Sequence, residues 1–130
     1  MSSIIRRAML GAWVFLGLSL GHSVIANAEN LGQISYKDDV RPIFELRCLE
    51  CHANNGSGVV GSGLNMATYE DLMRGTRFGP VVIPGNAMVS NLNVLVEGRA
   101  GIRMPHNRKR LTTCETAILR DWVNQGARNN

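Results

Sequence analysis

Aromatic side chains are scarce. Three Phe, two Trp and two Tyr occur in 130 residues, and a domain of this size builds only a modest core. An apolar cofactor at the centre would supply the missing volume. Cysteine is sparse and odd in number, three in all, whereas a disulfide framework uses an even count. No second cysteine pair completes a four-ligand zinc site: besides the close set Cys48, Cys51 and His52, only Cys114, His22 and His106 remain. Charge of one sign is weak too. The formal net of +4 falls to +2 after residue 28, with twelve basic against ten acidic residues, too mild for a nucleic-acid binder. No segment reads as a strand, no repeat recurs, and no general acid, base or nucleophile constellation is visible.

The N-terminus has the layout of an export signal. Arg6 and Arg7 precede the apolar run Ala8 to Leu20, and Ala26-Asn27-Ala28 supplies small residues for cleavage. The rival reading is an uncleaved anchor, because the charge-free stretch 8–28 has about the length needed to span a bilayer. His22, Ser23 and Asn27 interrupt it, which favours cleavage. Either way the rest of the chain is exported, with the periplasm as its expected location. No acceptor cysteine lies near the cleavage site, which disfavours a lipoprotein. The expected division is a signal peptide at 1–28, a short mature leader at 29–35, one domain at 36–127 and a tail at 128–130.

That domain reads as all-α. Val40, Ile43, Phe44 and the stem of Arg47 fall on one face of a helix from Tyr36 to Arg47, with Pro42 in its first turn or at a kink. The helix runs straight into Cys48. Residues 53–63 are polar and glycine-rich and read as a flexible loop. Thr68 with Asp71 resembles a cap for a short helix that stops at Gly75. Ser90 to Glu97 reads as another helix, ended by Gly98. Thr112 and Glu115 form a capping box for the last, whose apolar face is Ile118, Leu119, Trp122 and Val123.

The chemistry lies in Cys48-Leu49-Glu50-Cys51-His52. C-x-x-C-H is the attachment signature of c-type haem. Two thiols on one turn each add to a haem vinyl group, and the next residue sets an imidazole beneath the iron. Cys48 and Cys51 would carry the thioether links to one covalent haem c, with His52 the proximal iron ligand. The other ring nitrogen of His52 needs a hydrogen-bond acceptor that the sequence does not identify. A bare redox C-x-x-C would want a βαβ context, which is missing.

The distal ligand must come from far along the chain. Met66, Met73, Met88 and Met104 are available. Met104 stands out because Pro105 pushes it toward extended backbone, so that a loop presents one side chain in a fixed direction. The other three fit flexible core packing better. His/Met ligation raises the potential and suits electron transfer. His106 could instead give a bis-His site, and a five-coordinate iron is a third possibility.

These residues, taken in order, resemble the planctomycete-type cytochrome c domain. The resemblance rests on Asp39-Val40-Arg41-Pro42-Ile43-Phe44, Arg47-Cys48-Leu49-Glu50-Cys51-His52, Gly63-Leu64-Asn65-Met66 and Val82-Ile83-Pro84-Gly85-Asn86. It continues through Ser90-Asn91-Leu92, Arg103-Met104-Pro105, and Leu111-Thr112 to Asp121-Trp122-Val123-Asn124-Gln125-Gly126-Ala127. It covers residues 36–127. It implies a small class I cytochrome c fold, three to four short helices and loops wrapped around one haem. It also implies first and last helices that cross and pack, and iron ligation by the Met of the Met-Pro step. His106, where the family often has a second proline, and Cys114 depart from the pattern.

Other signals carry less. Gly56-Ser57-Gly58-Val59-Val60-Gly61 spells a dinucleotide fingerprint without a preceding strand or an opening helix. Arg99, Arg103, Arg108, Lys109 and Arg110 bracket Met104. They read as a ring that steers an acidic redox partner, as partners of haem propionates, or as a solvated loop. Cys114 reads as a half-buried inert thiol or a reactive one in the first turn of the last helix. The expected function is single-electron transfer between periplasmic redox partners, without catalysis by the chain alone. The alternatives are an electron-transfer subunit of a periplasmic oxidoreductase, or an open-site haem sensor or catalyst.

Overall fold

The computed structural model describes residues 32–130. The signal-peptide reading and the first residues of the leader lie outside that range.

Among the described residues there are six helices and no strand, so the chain is all-α. A π-helical turn, Tyr36–Val40, runs into α1, Arg41–Arg47. Ser35 caps the turn by accepting from the Asp38 N–H. Pro42 sits in the first turn of α1, where its missing N–H costs nothing. Cys48, at φ −124°, separates α1 from the short α2, Leu49–His52. The helix expected over 36–47 is therefore a π-turn followed by α1, and α2 is a separate turn that carries Cys51 and His52.

Residues 57–62 correct the sequence reading. They form a helix, α3, Ser57–Ser62, rather than a flexible loop. Gly63 closes it at φ 81°, donating its N–H to the Val59 carbonyl. α4, Tyr69–Arg74, is capped by Thr68 and stopped by Gly75, as expected. α5 spans Asn91–Val96 and α6 spans Thr113–Asn124, the latter opened by the capping box of Thr112 and Glu115. No helix of the described residues is long and apolar enough to cross a membrane.

Four aromatic rings, Tyr36, Phe44, Tyr69 and Trp122, pack together, whereas Phe78 is exposed. Tyr36 meets Tyr69 edge-on at 5.1 Å between centroids, and Phe44 meets Trp122 edge-on at 6.3 Å. The Phe44–Trp122 contact joins α1 to α6, so the first and last helices are locked by rings whose geometry adds to simple area burial. Residues 128–130, expected to be a tail, are tied into this cluster. The Trp122 indole donates to the Arg128 carbonyl, and Asn130 accepts from the backbone of Tyr36 and Lys37.

Two stability changes follow. Phe44→Ala should cost about 3–5 kcal/mol by leaving a cavity under Trp122. Thr112→Ala should cost about 1 kcal/mol by uncapping α6. Guanidinium unfolding followed by far-UV circular dichroism measures both, and equal effects for the two would contradict the packing described.

Candidate functional site

A cavity of about 500 Å³ opens between α2–α3 on one side and α5 with the following loop on the other. Its volume falls within the range of roughly 300–1,000 Å³ typical of cofactor sites. Leu64, Met66, Val81, Leu92 and Val96 form buried aliphatic walls. Cys48, Cys51, His52, Met104 and His106 all line it, although Met104 lies 52 residues beyond His52 in the chain. Met73 packs against the core, but Met88 does not: it is exposed, contrary to the core-packing expectation. It lies in a surface turn between the buried Ala87 and Ser90.

His52 is held by a specific bond. Its Nδ1 lies 3.1 Å from the Leu64 carbonyl. A carbonyl only accepts, so Nδ1 carries the proton and the lone pair of the neutral ring resides on Nε2. The acceptor missing from the sequence reading is thus a backbone group brought round by α3. The Met66 N–H donates to the His52 carbonyl at 2.7 Å and closes the same excursion.

The glycines of this excursion are required by closeness. A Cβ on Gly56 would stand 2.6 Å from the Cys51 carbonyl oxygen, and one on Gly58 would stand 2.5 Å from the His52 Cε1. Sequence reasoning missed both contacts. Their only trace was the glycine-rich composition, which reads equally well as flexibility.

Burial pushes the Cys48 thiol up to about 12, with Arg47 opposing the shift. A redox C-x-x-C depends on a lowered thiol value, and the Cys48 thiol is shifted the other way. Among the described residues, no three His, Cys, Asp or Glu side chains converge as a metal site. What remains is two thiols, an imidazole with a free Nε2 and a thioether on the wall of one apolar cavity. That set fits a covalently tethered haem.

Charges sit at the mouth in pairs. Arg47 makes a two-pronged ion pair with Glu115, at 2.9 and 3.0 Å. Arg108 pairs with Glu50. Arg47 and its hydrogen bonds hold the Glu115 carboxyl down at about 2, with Thr112 assisting. Arg99 does not face a partner freely. It bonds Glu97 and the carbonyls of Ala87 and Met88. Lys109 and Arg110 are exposed and make no ion pair among the described residues. Cys114 is exposed rather than half-buried, because it lies on the outer side of the first turn of α6.

The lowered Glu115 value sets the pH dependence. Its contribution to stability is complete above the ordinary carboxylate range and is lost as pH falls toward 2. Glu115→Gln should therefore lower the denaturation midpoint at pH 7 but narrow the difference between pH 7 and pH 3. Denaturant titrations at the two pH values test this, and an unchanged difference would contradict it.

Residues 48–107 match the family model described as planctomycete cytochrome C. The matched stretch starts at the first cavity cysteine and takes in Met104 and His106. No curated protein and no solved structure matches the chain.

Proposed function

We propose that this chain, which carries a planctomycete-type cytochrome c domain, is an exported monohaem cytochrome that passes single electrons between partner proteins. The observation that carries the reading is the apolar cavity on whose wall Cys48, Cys51, His52 and Met104 meet. Haem, when bound, supplies the one-electron couple of its iron.

The chain's own residues do the rest. Cys48 and Cys51 tether the group by thioether links. His52 offers Nε2 as the proximal ligand, its basicity raised by the Nδ1–H bond to Leu64. Met104 offers its sulfur from the opposite side, and its N–H is anchored 3.1 Å from the Leu95 carbonyl. A thioether opposite an imidazole favours the reduced state and raises the potential. The aliphatic walls exclude water and keep reorganisation small. His52 and Met104 would both hold the iron and leave it no position for a substrate, so we read the chain as an electron carrier rather than an enzyme on its own.

Periplasmic location is supported by Arg6-Arg7, the apolar run to Leu20 and the Ala-x-Ala site at 26–28. An acidic partner docking beside the loop 99–110 is supported by where unpaired charge lies. Lys109 and Arg110 adjoin the cavity-lining Arg108, and Arg77 adjoins the cavity-lining Thr76. Among the described residues, the carboxylates without an ion pair, Asp38, Asp39, Glu70 and Asp121, belong to the π-turn, where Lys37 is also unpaired, to α4 and to the second half of α6. Unpaired positive charge at 109–110 would draw an acidic surface toward this loop before contact.

Two experiments test this. The protein matured with covalent haem should show the weak far-red band of methionine sulfur on ferric iron. Met104→Ala should abolish that band and admit carbon monoxide to the reduced protein, whereas His106→Ala should leave it intact. Absence of the band from the wild type, with carbon monoxide admitted by His106→Ala and not by Met104→Ala, would transfer the ligand role to His106. Second, the double variant Lys109→Glu and Arg110→Glu should slow electron exchange with an acidic partner about 10-fold or more at low salt. The difference should vanish at high salt; a salt-independent rate would refute docking at this loop.

A further inference from the structure

We propose that Gly58 is a positioning residue for the His52 imidazole, and that Gly58, Ser62 and Leu64 form one clamp that sets the angle of that ring. This rests on the reading of His52 as the iron ligand.

The contact is close and of a particular kind. A Cβ on Gly58 would lie 2.5 Å from Cε1 and 2.7 Å from both Nδ1 and Nε2. A group beside the ring, in its plane, would be much nearer Cε1 than either nitrogen. Near-equal distances to all three put the Gly58 Cα hydrogen over the ring face. The Leu64 carbonyl holds the same ring at Nδ1, 3.1 Å away. One group presses on the face and the other grips the edge, so the ring can neither flip nor turn without losing one of them.

The two halves are joined by a single hydroxyl. Ser62 Oγ donates to the Gly58 carbonyl at 2.7 Å and accepts from the Leu64 N–H at 3.2 Å. The hydroxyl thereby spans α3 and the strand of chain that follows, and couples the face contact to the edge contact. Gly63, at φ 81°, makes the turn between them. Glycine at 58 is needed for space rather than for backbone freedom, since its φ is ordinary for a helix.

Val60 provides an internal control. It lies in the same helix but is exposed and does not line the cavity. Any general effect of alanine substitution in α3 should appear equally in Val60→Ala.

The ring angle is read in the ferric protein by its electron paramagnetic resonance g values and by the order of the haem-methyl proton shifts. The bond to Leu64 is read by the reduction potential. Losing that bond makes Nε2 a weaker donor, which destabilises ferric more than ferrous iron and raises the potential. Gly58→Ala should change the g values and methyl order and raise the potential. Ser62→Ala should move them in the same direction by less, and Val60→Ala should match the wild type. If Gly58→Ala takes up no haem while Val60→Ala loads normally, the clash with the ring is also supported. Wild-type spectra and potential in Gly58→Ala would overturn the clamp, as would identical changes in Val60→Ala. If His52→Ala keeps the wild-type spectrum, the ligand assignment of His52 fails instead, whatever the glycine variants do.

Discussion

The hydrogen bond from His52 Nδ1 to the Leu64 carbonyl is the constraint on which the site depends. It decides which ring nitrogen faces the cavity. To make it, the chain must leave His52, turn and come back within twelve residues. That return is accomplished by α3, a helix packed so closely on α2 that positions 56 and 58 have no room for a Cβ. Gly58, which weakens this helix intrinsically, is the residue within it that lets it approach.

A second economy governs the charges. Glu115 caps α6 through the Thr112 N–H at 2.6 Å and, with the same carboxylate, grips Arg47 at the end of α1. Glu97 likewise serves both Arg99 and Arg120. Each carboxylate binds the end of one element to another. The ends of the helices that flank the cavity are held by shared carboxylates, whereas the opposite end is held by packed rings. Among the described residues, no Phe, Tyr or Trp lines the cavity. Their scarcity is thus a matter of placement. Four of them close the far end, and the cavity walls are left to Leu, Val and Met.

Much of this was legible locally. The capping box of Thr112 and Glu115, the Thr68 cap, the stop at Gly75 and the early Pro42 all lie where short-range patterns put them. Such signals act over three or four residues and survive any tertiary context. The helix at 57–62 was illegible because its residues, Ser-Gly-Val-Val-Gly-Ser, have poor intrinsic propensity. It exists because packing on His52 outweighs propensity. The exposure of Met88 and Cys114 was hidden for the same reason: methionine and cysteine are more often buried, and only the fold says which side of the chain faces out.

The amino-acid sequence by itself determined the chemistry and the class of fold. Two thiols and an imidazole at fixed spacing are a covalent fact, and helical periodicity with caps needs no partner to be read. Tertiary structure alone decided which groups meet across the chain. Leu64 as the acceptor for His52, Glu115 as the partner of Arg47, 68 residues away, and Met104 and His106 lining the same cavity as Cys48 are all long-range arrangements. Such arrangements depend on how helices dock. Docking is set by the summed burial of many side chains, which no single residue or spacing displays.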